Sequence, residues 1–213
     1  MDMHTILVTN PKGGAGKTTL ATNLAAWLAG RRQKVGLQDL DRQQSATQWL
    51  KRRPELFPTI SRVARDEDRN ALRGLELDWL VVDSPAGLHG EDLRDAVRRA
   101  DLLLVPVTPS AFDIDVTRDF LALIAEYKAV RKGELPVGLV GNRIDARTLS
   151  AQELEEFLAA SGFPLVAHLR DAQAYVHCAR DGVSVFELPR SRAEQDWDQW
   201  RPLTRWISRQ LKH

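Results

Sequence analysis

Residues 10–19 read NPKGGAGKTT, between the apolar run TILVT (5–9) and a stretch of helical spacing over 17–30. A glycine-rich turn that leaves a strand and opens a helix suits phosphate. Gly13, Gly14 and Gly16 let the backbone curl until successive N–H groups point inward at phosphate oxygens. The helix that begins near Lys17 adds the positive end of its dipole. Lys17 is placed to reach β- and γ-phosphates, and the Thr18 hydroxyl to ligate Mg²⁺. Ala15 and Thr19 complete the loop, with Thr19 beside the α-phosphate. One letter is left over. The usual pattern has a glycine five residues before the Gly-Lys pair, where this chain has Pro11, and Lys12 stands next to it. A lysine there has no part in holding the turn.

Outward from the loop, short apolar runs alternate with helical patterns. KVGLQ (34–38), DWLVVD (78–83), LLLVPV (102–107) and PVGLVGN (136–142) join TILVT as five predicted strands. They are almost continuously apolar, as strands covered on both faces are. Helical spacing falls at 17–30, 91–99, 113–131 and 150–160. The alternation predicts an α/β fold: a mostly parallel twisted sheet with helices on both faces. Residues 51–75 are the most polar part. The tail from Ala193 reads as a terminal helix interrupted or restarted near Pro202. Trp197, Trp200, Leu203, Trp206, Ile207 and Leu211 share one face, either packed on the body or laid on a membrane surface.

Bulk properties bound the reading. The chain has 213 residues, 30 basic and 29 acidic, and a net charge of +1, so nucleic-acid binding would need a local basic patch. One cysteine, Cys178, allows no internal disulfide and fits a reducing cytosol. No apolar run approaches the roughly 20 residues that span a bilayer, and the start has no basic leader with a long apolar core. The expectation is one cytoplasmic domain over 1–213, without a separate N-terminal DNA-binding domain.

KGGAGKTT (12–19) resembles the signature of the deviant phosphate-loop ATPases of the ParA/MinD family. The resemblance implies that Lys12 acts in trans, reaching the phosphates of a partner subunit's ATP, with the logic of an arginine finger. ATP would then be part of a homodimer interface. Further motifs are similar. In DLDRQQS (39–45) the resemblance implies Asp39 near the metal's water shell and Asp41 orienting the attacking water. Arg42 departs from a proline common in the family, while Gln43 matches it. DWLVVDSPAG (78–87) implies Asp83 as a second metal-side acid acting through water, followed by a switch at Pro85–Gly87. PVTPSAFD (106–113) resembles a loop near the subunit interface. Asn142, in GLVGNRID, is implied to read the adenine edge, and Pro189, in SVFELPR, to offer it a carbonyl.

The implied cofactors are ATP and Mg²⁺, and the implied catalytic set is Lys12, Lys17 and Asp41. Of the family's activities, a cluster-bearing iron protein is excluded by the lone cysteine. Three classes stay open. The first is a compact ParA-like ATPase that dimerises on ATP, binds DNA without sequence preference and partitions or positions a cargo, with a ParB-like or cargo-adaptor protein to stimulate hydrolysis. It would be nucleoid-associated. The second is a membrane-based MinD-like ATPase, and the third an amide-forming enzyme related to cobyrinate a,c-diamide synthase. For DNA, the candidates are Arg192, Arg201, Arg205 and Arg209 in a C-terminal cluster that also holds Arg190 and Lys212, with Arg98/Arg99 and Lys128/Arg131/Lys132 as further basic groups.

Overall fold

The structure, a computed structural model, describes residues 3–67 and 69–210. Its centre is a seven-stranded sheet in which every pairing is parallel. In chain order the strands and helices are β1 (His4–Val8), α1 (Lys17–Gly30), β2 (Val35–Asp39), α2 (Ser45–Arg52), β3 (Ile60–Val63), α3 (Arg69–Gly74), β4 (Trp79–Asp83), α4 (Gly90–Arg99), β5 (Leu102–Val107), α5 (Ala111–Ala125), α6 (Lys128–Arg131), β6 (Val137–Ile144), α7 (Leu149–Ala160), β7 (Leu165–Arg170), α8 (Gln173–Asp181) and α9 (Arg190–Gln210). A 3₁₀ turn, Val185–Glu187, precedes α9.

The strand order is β3-β2-β4-β1-β5-β6-β7. The five predicted strands are the middle of this sheet, where both faces are covered. In β5 all six residues are buried. The two strands that the sequence does not announce are its edges. In β3 the middle residues Ser61 and Arg62 are exposed, and in β7 His168 is. Edge strands lack the continuous apolar run that marks the centre.

One core layer sits on each face of the sheet. α1, α2, α8 and α9 cover one, with Leu20, Leu24, Trp49, Trp200 and Ile207 inside. α4, α5 and α7 cover the other, around Leu93, Phe120, Ile124 and Leu154. α1 is buried along almost its whole length, because the sheet, α2 and the 3₁₀ turn surround it.

Two expected helices differ. The stretch 113–131 divides into α5 and α6, because Tyr127 takes an extended backbone (φ −66°, ψ 131°) before the chain turns again. No proline or glycine announces that break. α9, in contrast, is unbroken through Pro202. The proline is on the exposed side, and Trp200, Leu203 and Ile207 are fully buried before and after it, so packing holds the two halves in line. Gly138 of β6 makes room for this helix: a Cβ there would lie 2.8 Å from the ring of Trp206. Leu211, expected on the same face, is outside the described residues.

Candidate nucleotide site

The ends of β1, β2, β4 and β6 meet at one edge of the sheet, where ligands of open α/β folds sit. Register fixes the arrangement: Val8 and Asp39 are both opposite Asp83. The loop 10–16 leaves β1 there and enters α1.

Gly14 and Gly16 have left-handed backbones, with φ of 82° and 89°. Gly13 does not, and a Cβ at that position would meet only ordinary contact. The turn therefore needs two of the three glycines. Gly16 is constrained twice, since an added Cβ would lie 2.0 Å from the Asn142 side-chain nitrogen. That nitrogen donates to the Ala15 carbonyl at 2.9 Å in a buried bond. Asn142 is thus brought against the loop, with its amide nitrogen engaged by the Ala15 carbonyl.

Lys17 is buried and donates to the Lys12 carbonyl at 2.8 Å. Burial lowers its pKa, while Asp83 and Asp41 oppose that shift. Thr18 Oγ1 donates to Asp83 Oδ2 at 2.7 Å. The other Asp83 oxygen is buried with no hydrogen-bond partner among the described residues. Burial pushes the Asp83 carboxyl up to about 7; the Thr18 bond opposes, and Asp39 and Asp41 add repulsion. An unpartnered buried carboxylate oxygen beside a threonine hydroxyl is the donor chemistry that suits Mg²⁺, a hard cation that keeps several waters and takes few protein ligands.

Asp39 has both oxygens engaged by backbone N–H groups, Oδ1 by Asp41 at 3.1 Å and Oδ2 by Thr47 at 2.8 Å. It caps α2 from the end of β2, a position that serves the metal's water shell only through its remaining lone pairs. Asp41 Oδ1 accepts from Gln43 N at 2.9 Å. Asp41 is near enough to Lys17 and Asp83 to act on both electrostatically. The segment 39–44 is pinned at its ends by Leu40 N donating to Asp83 O and Gln44 N to Asp41 O. Gly87 N donates to Pro11 O at 2.9 Å, tying the segment after β4 to the loop.

Lys12 turns away from its own phosphate loop. Its ammonium lies 3.6 Å from Asp113 Oδ1, and its side chain is 38% exposed. Asp113, in the first turn of α5, also accepts from Thr108 Oγ1. Two residues gain a role here that the sequence does not assign them. Asn10 accepts from Lys12 N at 2.8 Å and donates to Pro106 O and Thr117 Oγ1, stapling the loop's entry to β5 and α5. Asp113 is, in the sequence, no more than the last letter of PVTPSAFD. The signal for both is position: a polar residue straight after a buried strand, and an acid in a first helical turn.

Pro189 is not brought to the loop. Its carbonyl accepts from Arg192 N at 2.8 Å, and it is exposed at the start of α9. The preceding turn bonds Asn23 midway along α1, through Val185 N at 2.9 Å, and Phe186, Glu187 and Arg190 lie by Ala26–Arg31 at that helix's far end. SVFELPR forms a capped 3₁₀ turn there, so the expected adenine contact from Pro189 has no geometric support. The four arginines expected to meet DNA also separate. Arg201, Arg205 and Arg209 follow one side of α9, while Arg192 is nine positions from Arg201, about two and a half turns. It lies in a different depression, beside Arg170, Glu194 and Asp198.

Compared with known proteins, residues 6–185 match the CobQ/CobB/MinD/ParA nucleotide binding domain. Maintenance of carboxysome distribution protein A of Halothiobacillus neapolitanus is 29% identical over 199 residues, covering 90% of this chain and 91% of the relative. The protein of the same name from Gloeobacter kilaueensis is 33% identical over 192 residues, covering 85% and 83%. The structure of a Cyanothece McdA–ATP complex superposes with a TM-score of 0.71 at 18% identity, covering 95% of this chain and 96% of that one.

Proposed function

Because the chain belongs to the CobQ/CobB/MinD/ParA nucleotide-binding family, we propose that it is a Mg²⁺-dependent ATPase that dimerises on ATP, holds DNA without sequence preference and positions a cellular cargo. The two similar carboxysome-distribution proteins favour a protein assembly as that cargo over a plasmid or chromosome. A cargo-adaptor protein that stimulates hydrolysis completes the reading.

One observation carries it. Lys12 sits on the rim of the phosphate loop, yet its ammonium points to Asp113 and not into the loop that its own carbonyl helps to shape. A charge held only by a partly exposed pair can exchange that partner for a second subunit's phosphates. Lys17, the loop N–H groups and the start of α1 bind the phosphates. Thr18 would ligate Mg²⁺, and Asp83 and Asp39 would act on it through its water shell. The bound ion would supply positive charge to the phosphate oxygens. Asp41 orients and accepts a proton from the attacking water. Asn142 keeps the loop in shape and offers its oxygen to the base.

The membrane-based alternative loses its apolar face. Trp200, Leu203 and Ile207 are buried, Trp197 donates to Val185 O at 2.7 Å, and Trp206 lies over Gly138. Among the described residues no helix is long and apolar enough to cross a membrane. Sedimentation with DNA, with anionic vesicles and with neither, each with ATP, ADP or no nucleotide, tests the proposal. Co-sedimentation with DNA in ATP alone supports it. Pelleting with vesicles alone, or ATP turnover that requires a small carboxylic acid, selects the other classes.

A further inference from the structure

We propose that the concavity between the C-terminal end of α1 and the outer side of α9 seats the phosphodiester backbone of DNA. The proposal rests on the DNA reading above and gives it a location, which shares Arg190 and Arg201 with the C-terminal basic cluster and adds Arg31 from the end of α1.

The concavity has a volume of about 390 Å³. Trp27 and Arg31 line it from α1, and Arg190, Trp197, Arg201 and Thr204 from α9. Two of its arginines lie over indole rings: the Arg31 guanidinium is 5.3 Å from the centre of the Trp27 ring, and that of Arg190 is 5.5 Å from the centre of Trp197. A cation–π contact restrains a guanidinium while leaving N–H donors for an anion. Such a preset fork matches the bidentate geometry of a phosphate.

The local charge balance is positive. Among the described residues neither Arg31 nor Arg190 has a carboxylate within ion-pair distance. The pocket's one acid, Glu187, is consumed elsewhere: it forms a buried pair with Arg53 and accepts from Ser184 N and Oγ. Arg201 pairs with Asp198, but both are exposed, so the pair is weak enough to exchange for phosphate. The C-terminal carbonyls of α1 oppose an anion here, and Arg31, the capping residue, offsets them. The first residue of α9, Arg190, brings the positive end of a longer helix to the same place.

The chemistry favours nucleic acid over a lipid headgroup. A membrane-seeking site needs apolar side chains free to enter the bilayer. The pocket's tryptophans pack against the core, and the Trp197 N–H is already bonded inside. The charge of the site comes from Arg31, Arg190 and Arg201.

The location also bears on regulation. The pocket is at the opposite end of α1 from Lys17, about 20 Å along a 14-residue helix. Its walls come from one chain, and none of them belongs to the phosphate loop. ATP therefore does not build the site. It joins two copies, and the gain in affinity comes from two seats engaging one duplex. Weak binding should be detectable without nucleotide at low salt, and strong binding with ATP.

Fluorescence anisotropy with a short mixed-sequence duplex, across a salt series and with ATP, tests this. Paired reversal, Arg31→Glu with Arg190→Glu, should weaken binding at least tenfold at low salt. The log–log salt slope should fall by about 0.9 for each phosphate no longer neutralised, counted in both subunits. Paired Arg31→Lys and Arg190→Lys should keep the slope and lose part of the affinity. Thermal melting checks folding. Should the reversal not fold, Arg31→Gln and Arg190→Gln, each alone, keep a planar group by the indole without charge and should each show about half that fall in slope. Wild-type protein that binds DNA with ATP, beside folded charge-removing variants of unchanged affinity and slope, overturns the pocket and leaves the DNA reading standing. Wild-type protein that ignores DNA at low salt overturns both. If it pellets instead with phosphatidylserine vesicles, and the reversal abolishes that, the seat belongs to lipid phosphate and the proposal is wrong.

Discussion

The Lys12 ammonium lies 3.6 Å from Asp113 Oδ1, across the short distance between the phosphate loop and the first turn of α5. In the isolated chain this pairing competes with any use of Lys12 on a second subunit. The lysine is partly exposed, and such pairs contribute about 0.2–1 kcal/mol. Asp113→Asn should therefore free Lys12 and tighten the ATP dimer modestly, by up to about fivefold per subunit. Lys12→Ala should abolish ATP-dependent dimerisation while ADP binding stays near wild type. Light scattering against protein concentration measures both. Equal dimerisation in all three proteins would return Lys12 to a solvated loop charge.

Lys17 and Asp41 should separate binding from chemistry. Lys17→Ala removes the buried ammonium proposed to meet the phosphates and should abolish ATP binding. Asp41→Ala leaves loop and metal ligands in place, so ATP should still bind while hydrolysis falls by about 10²–10⁴, the usual contribution of a positioned proton acceptor. Single-turnover hydrolysis beside equilibrium binding distinguishes the two. Wild-type hydrolysis by Asp41→Ala would show that another group holds the water.

Asp83 gives a pH signature. Its folded-state pKa, about 7, is above that of the unfolded chain. Between about pH 4 and pH 7 the folded protein keeps a proton that the unfolded chain has released. Stability from this group is therefore present at low pH and lost as pH rises towards 7. Asp83→Asn removes that loss. It should raise the melting temperature of the nucleotide-free protein at about pH 8 and change it little at about pH 4, the difference being on the order of a few kcal/mol. The same substitution should weaken Mg²⁺·ATP binding, so stability and ligand affinity move in opposite directions. A variant no more stable than wild type at the higher pH would show that the buried carboxyl is not strained.

Much of this is legible in the sequence, for physical reasons that differ by residue. The central strands announce themselves because burial on both faces demands unbroken apolar runs. β3 and β7 do not, since an edge strand shares one side with solvent. The loop from Gly13 to Thr19 is local chemistry, so its string of letters suffices. Asn142 is legible as a strand-terminal polar residue, but its bond to Ala15 spans 127 positions and needs the fold. Asn10 and Asp113 act through partners about a hundred residues apart in the chain or through one exposed charge, and no local pattern encodes that. Pro189 misleads because a proline before a helix has the same spelling whether it caps a turn or borders a base.

The contact between Gly16 and Asn142 yields a double-mutant test. Gly16→Ala meets two separate obstacles. A left-handed backbone costs an L-residue roughly 1–2 kcal/mol, and the new methyl would lie 2.0 Å from the Asn142 amide nitrogen. Asn142→Ala alone has a different cost. It leaves the Ala15 carbonyl buried and unpartnered, a penalty of about 1–3 kcal/mol. Combining them removes the clash but neither the backbone strain nor the orphaned carbonyl. The double variant should therefore be destabilised by less than the sum of the singles, by about 0.5–3 kcal/mol of coupling. Denaturant unfolding of the nucleotide-free proteins measures this. ATP binding should remain impaired in the double variant, because the loop keeps a strained residue where phosphate is held. Additive destabilisation would mean that Asn142 moves freely away from the loop, and its assigned place beside the nucleotide would be lost.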